Sequence, residues 1–205
     1  MSMIKELDSQ RINIDRITHE LKNLLGEFSL WGRSQVSITS ITGDNDWECS
    51  VGRLDSLSHP EEEYSVINEA LQGSYTEQVI NTHFSNFYRW RLLTLRFGDQ
   101  YTVHSDAATY ASVAPVAYEQ STKLQQRMNQ KISKLRNRRV HIPIETNPDA
   151  YFCYHSHKPG DGVEATIKYH HLAYGKIYEV DTSVLHTAIN YGKEPRVHLV
   201  GVRYE

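Results

Sequence analysis

The sequence predicts a mainly β fold, a double-sheet barrel of the jelly-roll kind with N-terminal helices packed against it. From Trp90 onward the chain holds about eight short segments rich in Val, Ile, Thr and Tyr, divided by Gly, Pro, Asp or Asn, which is the pattern of strands joined by turns. Within residues 139–144, Val140, Ile142 and Ile144 alternate with other residues, so they share one face of a strand. Before Trp90 the apolar spacing is partly helical.

Residues 1–89 are expected to form a helical and mixed layer. Apolar residues recur there at three- and four-residue intervals, the signature of one helix face, and Gly26 is a suitable end for that helix. We predict a strand within residues 34–42, the first turn of a helix at residues 61–63, and a second helix over roughly residues 75–88. The apolar residues of the first helix are Ile14, Ile17, Leu21, Leu24 and Leu25.

The chain is long enough for one hydrophobic core, and we predict a single domain over residues 1–205. The N-terminal layer would take residues 1–89 and the β-barrel residues 90–205. Residues 107–138 are polar and basic and lack strand alternation, which predicts a helical insertion between two barrel strands. The insertion either covers the site as a lid, where it would influence the choice of substrate, or lies on the surface as a plain helix.

Charge and hydropathy limit the classes of partner. The net charge of −3 gives no general attraction to nucleic acid or to an anionic membrane, and no apolar run is long enough to span a bilayer. The basic residues within 123–139 fit a solvated helix face better than an RNA site, because no aromatic residues are interleaved among them for base stacking. We therefore expect a small-molecule or peptide substrate, with no nucleic-acid or membrane partner.

The cysteine content and the first residues bear on the compartment. Cys49 and Cys153 are too few for a disulfide framework and lack the spacing of a zinc site. The polar, acidic start of the chain lacks the apolar stretch and cleavage site of a signal peptide. A reducing cytoplasm is the predicted location.

A candidate metal site is formed by two widely separated stretches. His104 and Asp106 are two residues apart at the end of a predicted strand, so their side chains point to the same side. His186 lies at the start of a later predicted strand. Two histidines and one carboxylate on one face of an octahedron leave three positions open, which is typical of non-haem iron(II) oxygenases. Zinc, with its four-coordinate preference, is the alternative ion.

Arg196 follows His186 by ten residues, on what reads as the next strand. A guanidinium beside the metal can bind the far carboxylate of a dicarboxylic acid through two hydrogen bonds, which a lysine cannot match. A hairpin carrying the histidine and the arginine would supply a metal ligand and a co-substrate anchor together. Without a metal at His186, Arg196 would be a solvated charge at a strand edge.

Three stretches of the sequence resemble the aspartyl/asparaginyl β-hydroxylase family of 2-oxoglutarate oxygenases, which also includes free-proline hydroxylases. The resemblance covers about half the chain, from residue 90 to the end, and its order of motifs is more specific than any one motif. Residues 1–89 contribute nothing to it. The three stretches are VHSD at 103–106, RVHIPIETNP at 139–148 and GKIYEVDTSVLHTAINYGKEPRVHLVGV at 175–202.

The resemblance implies a double-stranded β-helix that holds Fe(II) on His104, Asp106 and His186. By the same resemblance, Arg196 would bind the distal carboxylate of 2-oxoglutarate, and Arg139 and His141 would also reach this co-substrate. The implied reaction uses O2 to hydroxylate an amino acid, free or within a peptide, and releases succinate and CO2. The presence of Asp106 argues against halogenation, because a halide would need its position on the metal.

Two other functions are consistent with parts of the sequence. His155 and His157, with Glu164 or His170 beyond them, form a rival metal pair of the kind found in cupin metalloenzymes, although the turn that follows favours exposed surface histidines. The second is a jelly-roll binding module without catalysis.

Four residues are candidates to line the mouth of the barrel and contact substrate. They are Asn147, which is also an ordinary turn former before Pro148, and the polar residues Arg89, Arg91 and Tyr110.

Overall fold

The computed structural model describes residues 3–26, 34–50, 61–106 and 137–204. Within these ranges the chain forms two α-helices, two short 3-10 helices at Glu61–Glu63 and Glu69–Leu71, and eleven β-strands. The helices are α1 (Ile14–Leu25) and α2 (Tyr75–His83), and the strands are β1 (Ile4–Leu7), β2 (Gln35–Ser37), β3 (Thr39–Ser40), β4 (Val66–Ile67), β5 (Tyr88–Leu95), β6 (Asn137–Glu145), β7 (Ala150–His155), β8 (Ile167–His170), β9 (Ile177–Asp181), β10 (His186–Asn190) and β11 (Arg196–Tyr204).

Two antiparallel sheets make up most of the structure. The large sheet has six strands in the order β1-β9-β6-β11-β5-β2, and the small sheet has three in the order β10-β7-β8. Gln100 and His104 form isolated bridges to Ile189 and His186, so the segment between them runs along the free edge of β10 as a fourth row. Strands β3 and β4 form a separate pair. The model is thus mainly β, as the sequence predicts.

The large sheet has one face toward the helices and one toward the small sheet. Val140, Ile142 and Ile144 are buried in one cluster with residues of α1 and α2. His141, between them, points the other way, and its ring lies 5.7 Å from that of Phe152 in the small sheet. The alternation predicted for residues 139–144 is therefore present, and it separates an apolar helix-covered face from a polar interior between the sheets.

Helix α1 begins and ends where the sequence predicts. The Asn13 side chain caps the first turn by accepting a hydrogen bond from the backbone N–H of Arg16. Gly26 ends the helix at φ 79°, a conformation that glycine adopts without steric cost. Ile17 and Leu21 are fully buried against the large sheet, which makes this helix part of the core.

Helix α2 is shorter than predicted. Ser74 caps its first turn, but the helix ends at His83 instead of continuing to residue 88. Phe84 and Phe87 are still buried, in an edge-to-face contact with ring centroids 5.8 Å apart, because a turn closed by the Phe87 N–H and the Phe84 carbonyl brings them together. The helical spacing of Ile80, Phe84 and Phe87 therefore indicates that these residues contact the core, but it does not show how far the helix extends. Neither described helix is long and apolar enough to cross a membrane.

The N-terminal layer contains strands that the helical interpretation missed. Strand β1 pairs with β9 at the edge of the large sheet, and the predicted strand within residues 34–42 is divided into β2 and β3. Strand β6 begins at Asn137, so the last two residues of the predicted insertion belong to the large sheet. Residues 107–136, with most of the basic cluster and Tyr110, lie outside the described residues.

Gly201 gives a direct test of the packing on the helix-covered face. A Cβ added there would lie 2.7 to 2.9 Å from ring atoms of Trp90, whose side chain is fully buried. We expect Gly201→Ala to lower the free energy of unfolding by about 1–3 kcal/mol, measured by urea denaturation, because the ring has no space to move into. The cost should shrink in a Trp90→Phe background, which removes the clashing ring atoms; equal costs in both backgrounds would contradict the model of this contact.

Candidate metal centre

Backbone pairing brings the predicted metal ligands together. The backbone N–H of His104 donates to the carbonyl of His186 at 3.0 Å, and the N–H of His186 donates to the carbonyl of His104 at 2.8 Å. The N–H of Asp106 donates to the carbonyl of Thr182 at 2.8 Å. The two distant stretches are therefore held in register by their main chains, at one end of the small sheet.

The side chains of His104, Asp106 and His186 converge. One ligand atom from each lies within 4.8 Å of the others, and His104 Nε2 is 3.6 Å from Asp106 Oδ1. Within the described ranges this is the one group of three or more His, Cys, Asp or Glu side chains arranged so that they can hold a metal ion. The geometry is the one expected from the sequence.

Hydrogen bonds fix the tautomer and the orientation of both imidazoles. His104 Nδ1 lies 2.6 Å from the carbonyl oxygen of Thr102, and His186 Nδ1 lies 2.9 Å from that of Val184. A carbonyl oxygen only accepts, so each Nδ1 carries the proton and each Nε2 presents a lone pair. Burial lowers the pKa of His186 to about 4, against the opposing effect of Asp106. The imidazole is therefore neutral near pH 7, the form that binds metal.

Asp106 completes the triad as a buried carboxylate. Burial by itself would raise its pKa, but the positive charge of Arg139 and the contributions of the two histidines bring the pKa below its ordinary value. Oδ1 accepts a hydrogen bond from Arg139 Nη2 at 2.9 Å, while the buried Oδ2 has no hydrogen-bond partner among the described residues. An ionised, buried oxygen without a partner fits a metal ligand, because burial without compensation is costly.

Arg196 lies on the interior face of the large sheet. Its neighbour Val197 packs on the helix side, so the guanidinium points toward the small sheet. Arg196 is 2% exposed, and neither Nη1 nor Nη2 has a hydrogen-bond partner among the described residues. Burial lowers its pKa to about 10, which Tyr101 partly offsets. A buried guanidinium with two unpaired nitrogens is suited to a carboxylate held through two hydrogen bonds.

The two further co-substrate candidates lie in the same interior but differ in their contacts. Arg139 binds the ligand Asp106, so it supports the carboxylate of the triad, and its Nε is buried without a hydrogen-bond partner. His141 Nδ1 lies 3.3 Å from His198 Nδ1, and His141 Nε2 has no partner among the described residues. Burial, reinforced by nearby arginines such as Arg196, lowers the pKa of His141 well below its usual value, so this ring is neutral.

Two interior residues were not predicted. Tyr101, three residues before His104, has a buried hydroxyl without a partner, and its pKa is raised by burial against the opposing charges of Arg196 and Arg91. His198, whose Nε2 is also buried without a partner, lies two residues after Arg196. Strand alternation was the available signal for His198, since residues 196 and 198 share a face. Nothing in the sequence singled out Tyr101 from the other tyrosines.

Asn147 is separated from the metal centre. Its amide donates to Asn190 Oδ1 at 3.0 Å and to the Glu194 carbonyl at 2.8 Å, which fixes the turn after β10. Asn190 is four residues from His186 along β10, or about 13 Å at the usual rise of a strand. Asn147 thus forms part of the turn at the end of β10 away from His186, and its contact with substrate stays a prediction.

The rival histidine pair does not form a site among the described residues. His155 ends β7, while His157 is exposed in the following bend and has its Nδ1 2.9 Å from Ser156 Oγ. Neither Glu164 nor His170 joins them in a cluster with ligand atoms close together. The turn that follows His157 is exposed, as the sequence indicated.

No protein-family model matches the chain, and neither does the sequence of any curated protein. Among solved structures, the chain is similar to the non-heme alpha ketoglutarate dependent epimerase SnoN from nogalamycin biosynthesis, with 12% identity, a TM-score of 0.53 and coverage of 99% of this chain and 77% of that one. AviO1 from Streptomyces viridochromogenes Tue57 is 11% identical with a TM-score of 0.48, over 98% and 88% of the two chains.

A 2OG-Fe(II) oxygenase family oxidoreductase from Burkholderia pseudomallei is 14% identical with a TM-score of 0.36, and the match covers 57% of this chain and 42% of that one. The chain therefore spans less than half the length of that protein. At these identities the likeness to SnoN shows a shared fold. It does not show membership of the aspartyl/asparaginyl β-hydroxylase family.

Proposed function

We propose that this protein is an Fe(II)- and 2-oxoglutarate-dependent oxygenase. The observation that carries the proposal is a His-Asp-His triad, with Asp106 and His186 buried and His104 partly exposed, beside a buried arginine whose Nη1 and Nη2 have no partner among the described residues. SnoN, which shares the fold, is named as alpha ketoglutarate dependent. The triad fits a metal that keeps positions open for a bidentate co-substrate and dioxygen.

The strand order supports a double-stranded β-helix. If the segment Gln100–His104 is counted as a strand, four strands of the large sheet, β5-β11-β6-β9, lie opposite four in the small one. The chain crosses between the sheets after almost every strand, and Phe152 of the small sheet packs with Tyr178 and Val180 of the large one. In such a barrel the proposed metal ligands would lie at one end and Arg196 would lie inside it.

The residues of the chain provide binding and orientation. When bound, iron would supply the oxidative chemistry that couples decarboxylation of 2-oxoglutarate to oxidation of the substrate. His104, Asp106 and His186 would hold the ion, and Arg139 would keep Asp106 in place. Arg196 would bind the distal carboxylate of the co-substrate, and the buried interior would exclude bulk water.

The preferred reaction is hydroxylation of an amino acid, free or within a peptide, in the cytoplasm. This choice depends on the resemblance of three sequence stretches to the aspartyl/asparaginyl β-hydroxylase family, and on the presence of Asp106 as a proposed carboxylate ligand. Epimerisation, the activity in the name of SnoN, is the second candidate because it belongs to a protein of the same fold. Product mass separates the two reactions, since hydroxylation adds one oxygen atom and epimerisation leaves the mass unchanged.

Anaerobic titration tests the metal and co-substrate together. We expect Fe(II) and 2-oxoglutarate to give a visible charge-transfer band with the wild-type protein, since both would be chelated at one centre. The band should be lost in His104→Ala and retained in His155→Ala, the matched histidine of the rival pair. A wild-type protein without the band, or a His104→Ala variant that keeps it, would overturn the proposed function.

A further inference from the structure

Arg91 is a second interior arginine that the metal and co-substrate do not use. Its neighbours on β5, Trp90 and Leu92, lie in the helix-side cluster, so Arg91 points into the space between the sheets. It is 4% exposed, and its Nε has no hydrogen-bond partner among the described residues. Among the described residues its guanidinium makes one hydrogen bond, from Nη1 to Gln35 Oε1 at 3.4 Å, which is near the limit for a hydrogen bond.

Other arginines of the large sheet have carboxylate partners. Among the described residues of this sheet, only Arg91 and Arg196 are buried arginines without an ion pair to Asp or Glu. The other four arginines each have an Asp or Glu side chain that compensates the charge of the guanidinium. They are Arg89 with Glu61, Arg138 with Asp181 at 3.3 Å, Arg139 with Asp106 at 2.9 Å and Arg203 with Glu179 at 2.8 Å.

Arg91 lies level with His141 across the large sheet. Both residues are register partners of Val200 on β11, Arg91 from β5 on one side and His141 from β6 on the other. Burial, with repulsion from Arg89 and Arg139, holds the pKa of Arg91 itself well below its usual range. The unpaired Tyr101 hydroxyl belongs to the same interior. An anion placed there would satisfy groups that are otherwise unpaired and costly to bury.

We infer that Arg91 binds a carboxylate of the primary substrate, so that the substrate class is a carboxylic acid. The inference rests on the proposed function. In that function the carboxylates of 2-oxoglutarate are already assigned, one to the metal and one to Arg196, and Asp106 is held by the metal and Arg139. Among the described buried arginines of the large sheet, Arg91 is then the one left without an anion, and the substrate is the group we propose to provide one.

Thermal unfolding of the unliganded protein tests whether Arg91 lacks a structural partner. We expect Arg91→Met to raise the melting temperature by roughly 2–4 °C, because it removes a buried charge that has no ion pair. The control Arg203→Met breaks the ion pair with Glu179 and should not raise it. An unchanged or lowered melting temperature for Arg91→Met would overturn the inference, because it would mean that the guanidinium is already compensated.

Succinate release tests the substrate class directly. The probes are matched pairs, free amino acids against their amides and peptides containing Asp or Glu against the same peptides with Asn or Gln. The two sets of pairs distinguish an α-carboxylate from a side-chain carboxylate. We expect acid members to stimulate succinate release at least about tenfold more than their amides, since a buried site for a charged group rejects a neutral analogue. Amides that stimulate as well as acids would overturn the inference.

Variants of Arg91 distinguish a failure of this inference from a failure of the proposed function. Arg91→Gln should lose the stimulation by acids while keeping the anaerobic Fe(II) and 2-oxoglutarate band, and Arg91→Lys should recover part of the stimulation. Loss of the band in Arg91→Gln would assign Arg91 to the co-substrate and overturn the inference. Absence of the band in wild type would instead remove the proposed function itself. If no probe stimulates succinate release, the melting-temperature comparison decides.

Discussion

Replacing His186 by Ala should weaken Fe(II) binding by more than about a hundredfold and abolish consumption of 2-oxoglutarate. Loss of an outer contact to a metal ligand commonly costs about 10–100-fold in affinity, and His186 is itself a proposed ligand. The ring is 3% exposed and stacks on Phe152 at 5.3 Å between centroids, so packing holds it in place.

Metal-dependent stability provides the measurement. At Fe(II) about a hundred times above Kd, wild type should gain about 2.7 kcal/mol of unfolding free energy, seen as a higher melting temperature under anaerobic conditions. His186→Ala should gain almost none. His170→Ala, a histidine of the same small sheet outside the triad, should respond like wild type. Equal stabilisation of His186→Ala and wild type would place the ion elsewhere.

Arg196→Leu is expected to have the second large effect, a loss of affinity for 2-oxoglutarate of at least about thirtyfold. Removing one partner of a buried, hydrogen-bonded charge pair costs about 2–5 kcal/mol, and leucine offers the distal carboxylate no compensation. Fe(II) binding should be unaffected, because Arg196 does not contact the triad side chains in any described hydrogen bond. Arg196→Lys should recover only part of the affinity, since a lysine presents a single charged nitrogen.

A shortened co-substrate isolates the contact. 2-Oxobutyrate keeps the metal-chelating end of 2-oxoglutarate and lacks the distal carboxylate. Wild type should strongly prefer 2-oxoglutarate in the anaerobic titration, and Arg196→Leu should bind the two compounds about equally. Arg203 lies on the same strand as Arg196 and pairs with Glu179. Arg203→Leu should therefore keep the wild-type preference for 2-oxoglutarate. A preference that persists in Arg196→Leu would show that another group holds the distal end.

The features that the sequence predicted correctly are those that local periodicity determines. The faces of residues 139–144 follow from strand alternation, and the end of α1 follows from Gly26. The convergence of the triad required more than periodicity. Residues 104 and 106 share a side of a strand, but their meeting with His186 depends on which strands are neighbours, and family-like motif order supplied that information.

The features that were missed depend on tertiary contacts. Strand β1 has too few apolar residues to predict a strand, and its pairing with β9 defines it. Helix α2 was extended too far because Phe84 and Phe87 keep a helical spacing while a turn carries them into the core. The position of Asn147 at the end of β10 away from His186 also depends on strand order, which sequence proximity does not reveal.

If iron binds as proposed, the paired main chains of His104 and His186 would make its retention depend on the pairing of the edge segment with β10. Two backbone hydrogen bonds join the two residues. Moving the two imidazoles apart therefore requires that the segment Gln100–His104 separate from β10. Release of the ion to a chelator would then wait on fraying of this edge, a local opening whose free energy lies below that of global unfolding. Resistance to chelation becomes a property of strand pairing as much as of the ligands themselves.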